Sequence, residues 1–139
     1  MAAIRVELIS EFKGESVVLV AVDADGLEAV RSALVVAGQQ EQPLAVTLGD
    51  KKMEFKVEPG AARIELELHT ITWRLGRDKI AEIVKKLDFM QEAQRASHHY
   101  VEIESPVKTL VLSRDEYVRP NTTELLARSG PRVVRRISP

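Results

Sequence analysis

Four short segments of this chain recur in the same order. Arg5-Val6-Glu7-Leu8 returns as Arg63-Ile64-Glu65-Leu66, an offset of 58 residues. Asp25-Gly26-Leu27, with Val30 and Leu34 beyond it, is matched by Asp78-Lys79-Ile80 with Ile83 and Leu87, an offset of 53. Leu44-Ala45-Val46-Thr47-Leu48 is matched by Val101-Glu102-Ile103-Glu104-Ser105, and Met53-Glu54-Phe55 by Leu110-Val111-Leu112, both at an offset of 57. A repeat of this kind constrains the fold more than any composition does. Each unit is one supersecondary element that cannot bury its apolar face alone. The drift in offset is what loop insertions produce, so the chain reads as a diverged tandem duplication.

Each unit reads strand, strand, helix, strand, strand. Ile4, Val6 and Leu8 alternate with Arg5 and Glu7, the period of a strand with one buried face. Lys13-Gly14-Glu15 makes a polar turn, and Val17 to Val22 is apolar at every position, which predicts cover on both faces. In the second unit Ile64, Leu66 and Leu68 alternate with Glu65, Glu67 and His69, and Ile71, Trp73 and Leu75 with Thr72 and Arg74. Asp25 with Glu28 three residues on has the form of a capping box for a helix carrying Leu27, Val30 and Leu34, with Gly38 as its C-terminal cap. Asp78 is the expected cap of a second helix through Ile80, Ile83, Val84, Leu87 and Met90, running to about Arg95. Strands are expected at Pro43–Leu48, Met53–Val57, His99–Glu104 and Lys108–Ser113, with Gly49-Asp50 and Ser105-Pro106 as turns.

The fold class that follows is α+β: two ββαββ units forming eight largely antiparallel strands, with both helices on one face of the sheet and a pseudo-twofold axis between the units. Residues 1–118 make one domain of two repeats, about 1–60 and 61–118. The expected core is Val6, Leu8, Leu19, Leu27, Val30, Leu34, Val46, Phe55, Leu66, Trp73, Ile80, Ile83, Leu87, Ile103, Leu110 and Leu112.

Charge divides the chain. Residues 1–118 hold 15 Lys and Arg against 20 Asp and Glu, a net −5, whereas residues 119–139 hold five arginines and only Glu124, a net +4. The acidic body repels nucleic acid and attracts basic partners. The terminal segment, punctuated by Pro120, Gly130, Pro131 and Pro139, is expected to be mostly extended and weakly packed. Its arginines suit phosphate contact, but no aromatic residue follows Tyr117, so base stacking is unavailable and nucleic-acid recognition is not expected. The longest charge-free runs, such as Ser16–Val22 and Ala33–Gln40, fall short of the roughly 20 apolar residues of a membrane-crossing helix. No apolar leader precedes Arg5, Glu7 and Glu11, so the expectation is a cytoplasmic protein without membrane attachment.

Little in the chain points to catalysis. Absence of cysteine removes thiol nucleophiles and thiolate metal sites. No G-x-x-x-x-G-K-[ST], G-x-G-x-x-G or G-x-S-x-G is present. Asp23-Ala24-Asp25-Gly26 has the start of a calcium-loop pattern, but its twelfth position is Leu34, and a helix start explains it. Glu65/Glu67 and Glu102/Glu104 are i, i+2 pairs about 7 Å apart on strands, a glycosidase-like spacing, yet the polar face of an amphipathic strand gives the same pattern. His98 and His99 project to opposite faces of a strand, which separates them as metal ligands, with His69 too far along the chain to complete a site without close pairing of the units. No enzyme activity, cofactor or metal is expected.

One stretch carries a resemblance. His98-His99-Tyr100-Val101-Glu102-Ile103, followed by Thr109-Leu110-Val111-Leu112-Ser113-Arg114-Asp115-Glu116-Tyr117, is similar to a pattern of small bacterial immunity-type proteins: a His-rich strand, then an apolar strand closing in Ser-x-x-Glu-Tyr. The helix opening Asp25-Gly26-Leu27 resembles them as well. The resemblance implies a non-enzymatic protein that binds and neutralises a toxin domain made by the same cell. Nuclease toxins are basic, and an acidic inhibitor associates with them fast through steering. The alternative is a structural or regulatory homo-oligomer that buries its open sheet face against itself.

The expected interface is the sheet face opposite the helices. In the second unit it displays Glu65, Glu67, His69, Arg74, Tyr100, Glu102 and Glu104, and in the first Arg5 and Glu7 beside Val18, Val20 and Val22. An apolar strip buries area while an acidic rim steers.

Overall fold

The structure, a computed structural model, describes residues 2–48 and 51–116. Strands β1 (Ile4–Phe12) and β2 (Glu15–Val22) form a hairpin, followed by helix α1 (Ala24–Gly38) and a second hairpin, β3 (Leu44–Leu48) with β4 (Lys51–Val57). The second half repeats the order as β5 (Ala62–Leu66), β6 (Thr70–Leu75), α2 (Arg77–Ala93), β7 (Ser97–Glu102) and β8 (Thr109–Arg114). This is the α+β, duplicated ββαββ arrangement that the repeat predicts. The Gly49-Asp50 turn and the terminal segment 119–139 lie outside the described residues.

The strands divide between two four-stranded sheets instead of sharing one. Sheet 1 runs β1-β2-β8-β7 and sheet 2 runs β5-β6-β4-β3. Each sheet therefore takes its first hairpin from one half and its second from the other. The helix inside each unit carries the chain to the opposite sheet, where the second hairpin meets the other unit. Hairpins are antiparallel, and the central contacts β2–β8 and β4–β6 are parallel. Registers agree position for position. Glu7 faces Leu19, which lies beside Val111, just as Glu65 faces Thr72, which lies beside Glu54. These pairs reproduce the offsets of 58, 53 and 57 residues found in the sequence.

One core joins the inner faces of both sheets to the facing sides of the helices. Val18, Val20 and Val22 of β2, Leu110 and Leu112 of β8, Phe55 of β4 and Trp73 of β6 meet Leu27, Leu34, Ile83 and Leu87 there. Phe55 and Trp73, neighbours across the parallel contact, have ring centroids 5.4 Å apart. Three expected core residues differ. Leu8 is 50% exposed, because it sits on edge strand β1 with a neighbouring strand on one side only, and Val46 and Leu66 on edge strands β3 and β5 are half-buried for the same reason. Leu19 is buried, but on the far side of its sheet.

Both helix starts also differ from expectation. Asp23, not Asp25, caps α1: its Oδ1 accepts from Gly26 N at 2.7 Å and from Ala3 N at 3.0 Å, which ties the helix to the chain entering β1. Gly26 is required by that approach, since a Cβ would stand 2.2 Å from the Ala3 carbonyl oxygen. Glu28 does not close a capping box; it accepts from Ser32 and from Gln91 of α2. Gly76 is the N-cap of α2 without a side-chain hydrogen bond, and Asp78 lies in the first turn, where the helix dipole favours a carboxylate. The C-termini are closed in matching fashion by arginines entering from elsewhere. Arg77 donates to the Gly38 and Gln40 carbonyls, and Arg114 to those of Met90 and Gln91. Arg31 and Asp88 pair across the two helices at 2.5 Å.

Candidate docking face

Because the halves superpose by register, the outer faces of the two sheets compare side chain by side chain. On sheet 2 the outer positions are polar and paired. Arg74 contacts Glu58 at 2.5 Å and Glu65 at 3.0 Å, Arg63 contacts Glu58 at 3.1 Å, and Lys52 contacts Glu54 at 3.4 Å. The hydrogen bond from Arg74, reinforced by Arg63, holds the Glu58 carboxyl below the ordinary carboxylate range, and hydrogen bonds to Glu58 and then Glu65 raise Arg74. This face is suited to water.

On sheet 1 the same positions are apolar. Leu19 stands where sheet 2 has Thr72, Ala21 where it has Arg74, Val17 where it has Thr70, and Val111 where it has Glu54. Val17, Leu19, Ala21 and Val111 form a second cluster, each no more than 2% exposed. Among the described residues, the apolar side chains packed against it are Ile9 and Phe12 of β1.

A polar corner completes the face. Ser113, wholly buried, donates from Oγ to Glu116 Oε1 at 3.0 Å, and His98 Nδ1 lies 3.2 Å from the same oxygen. His98 and Ser113 are cross-strand partners on the outer side, and Tyr100, edge-on to His98 at 5.4 Å and 45% exposed, is next along β7. One carboxylate oxygen is thus shared between the hydroxyl and the imidazole. Around the strip stand Glu7, paired with Arg5, then Glu15, which accepts from Thr109 Oγ1 at 2.7 Å, and Glu102 opposite Thr109. The rim is predominantly acidic.

The residues expected to share one face do not all meet. Arg74 and Glu65 lie on the outer face of sheet 2, Glu67 and His69 in the β5–β6 turn. Tyr100 and Glu102 lie on the outer face of sheet 1. Glu104 follows β7 in a segment that covers the edge of β5, its N–H donating to the Ala62 carbonyl at 2.7 Å while Ile64 N donates to Ser105. The division into two sheets is what separates them. Facing is also reversed on β2: Val18, Val20 and Val22 point into the core, and Val17, Leu19 and Ala21 point outward. The sequence held the signal for these missed residues. Val17–Val22 is apolar throughout, and Val111 is apolar where the repeat has Glu54.

Elsewhere the surface is closed by charge. Lys79 and Lys86 of α2 donate to the Glu102 and Tyr100 carbonyls at 2.8 and 2.6 Å, covering the outer edge of β7, and both pair with Glu82. The opposing desolvation at Glu82 is outweighed by these lysines, so its carboxyl stays below the ordinary range. His99 faces away from His98 and stacks on Phe89 at 6.4 Å; burial above all, then the Lys86 and His98 charges, lowers its pKa. A groove of about 640 Å³ at the start of α2 is lined by Arg77, Lys79 and Lys108 together with Asp78, Glu102 and Glu104. Its mixed charge selects neither anion nor cation. Among the described residues no three His, Asp or Glu side chains converge as metal ligands, and no helix is long and apolar enough to cross a membrane. No family model, no curated protein and no solved structure matches this chain.

Proposed function

We propose that the protein is a non-enzymatic binding module that receives a basic protein on the outer face of sheet 1, as an immunity-type inhibitor receives its toxin. One observation carries the reading. Two sheets of one ancestry differ at matched outer positions, one ion-paired and the other apolar, as docking on a single face requires. An acidic rim around the apolar strip, within a body of net −5, supports a basic partner. Tyr100 offers an aromatic anchor beside the strip. A second copy fits less well, since two such rims would oppose each other with like charge.

The test is affinity capture from the cell that naturally makes the protein, with the full chain and its Val111→Glu variant as parallel baits. Val111→Glu introduces the residue that sheet 2 carries at the same place. The reading expects a basic protein retained by the natural chain and lost by a variant that still unfolds cooperatively. Capture unaffected by the substitution, or a self-associated chain with no partner at all, would overturn it.

A further inference from the structure

Resting on that reading of the outer face, the inference concerns what occupies it before a partner arrives. The described chain ends two residues after β8, a central strand of sheet 1. Glu116, the last described residue, turns back so that its carboxylate meets Ser113 and His98, both of them side chains of the outer face. Residues 117–139 follow, with Val118, Leu125, Leu126, Val133, Val134 and Ile137 among them and a net charge of +4. An extended chain advances roughly 3.3 Å per residue and neighbouring strands lie about 4.8 Å apart, so this length reaches any point of a four-stranded sheet. Within reach is a strip of four side chains no more than 2% exposed, against which Ile9 and Phe12 of β1 pack at one side.

We infer that residues 117–139 are the resident occupant of the outer face of sheet 1, an internal stand-in for the basic partner. Its apolar side chains take the strip of Leu19 and Val111, and its arginines take the rim of Glu7, Glu15 and Glu102. Tethering gives such a segment an effective concentration on the order of millimolar.

The chain has no cysteine, so Ser129→Cys in the full chain accepts a single nitroxide, read by NMR in the absence of any partner. Expected is loss of the amide signals of Leu19, Ala21 and Val111, with those of Thr72, Arg74 and Glu54 retained. Leu19→Thr, the residue of the matched position, restores the lost signals. Loss on both faces, loss on neither, or loss that survives Leu19→Thr overturns the inference. So does loss in an isotope-labelled chain when the nitroxide sits on a different chain, which identifies a second copy as the occupant. Failure here leaves partner capture by the face intact. Failure of capture, in turn, leaves the nitroxide contact as measured.

Discussion

Leu19 of β2 and Thr72 of β6 occupy one position in the two halves. Each faces the glutamate of an Arg-x-Glu strand, Glu7 or Glu65, and each lies beside the other half's strand at Val111 or Glu54. Sheet 2 thus serves as an internal control for sheet 1. The double variant Leu19→Thr with Val111→Glu gives sheet 1 the residues that sheet 2 already accommodates. It should retain cooperative thermal unfolding while binding the captured partner at least tenfold more weakly, or roughly 1.4 kcal/mol. Titration calorimetry checks this, and unchanged affinity would place the interface elsewhere.

Steering has its own control. Glu102→Lys on the rim should slow association with a basic partner, and more so at low ionic strength, whereas Glu65→Lys on sheet 2 should change the rate little. Stopped-flow measurements across a salt series separate the two.

The corrected cap of α1 predicts unequal aspartates. Asp23→Ala removes the acceptor of Gly26 N and of Ala3 N and should cost about 1 kcal/mol in urea unfolding. Asp25→Ala, two positions further in, should cost less. Gly26→Ala should destabilise despite the better helix propensity of alanine, because its Cβ meets the Ala3 carbonyl.

Two apolar residues on inner faces should differ as sharply. Trp73→Ala opens a cavity in the shared core and should cost about 3–5 kcal/mol. Leu8→Ala, on the edge of sheet 1, should stay within about 1 kcal/mol.

How much of this was legible follows from what periodicity reports. Alternation at Ile4–Leu8 and Ile64–Leu66 identified strands, and helical spacing at Ile80–Leu87 identified α2, because local burial writes a local pattern. Pairing between β2 and β8 joins residues some ninety positions apart, such as Val20 and Leu112, and leaves no local trace. Without that pairing the eight strands read as one sheet, and Glu65, Arg74, Tyr100 and Glu102 fell on one face. The parity of β2 was equally hidden, since a run apolar at all of Val17–Val22 does not say which half points inward. Asp23 also binds Ala3 N, twenty residues earlier, a contact that leaves no local pattern beside its cap on Gly26 N.

His99 adds a pH dependence whose sign is fixed. Its folded pKa lies below the unfolded value of about 6.5. The unfolded chain therefore binds the proton more readily, so this contribution is complete above the unfolded pKa and is lost as pH falls through the folded one. His99→Gln should flatten the melting temperature across that window. Lys86→Ala should move the imidazole titration, followed by NMR, toward higher pH.

Each sheet borrows a hairpin from either half, so a single ββαββ unit owns no complete sheet. A gene encoding one unit would yield an obligate homodimer that exchanges hairpins, and symmetry would oblige such a dimer to present two identical outer faces. Any mutation toward an apolar surface would then appear twice on every particle, inviting open-ended chains of association. Joining the units in one polypeptide releases that constraint: one sheet can stay charged on its outer face while the other becomes apolar there.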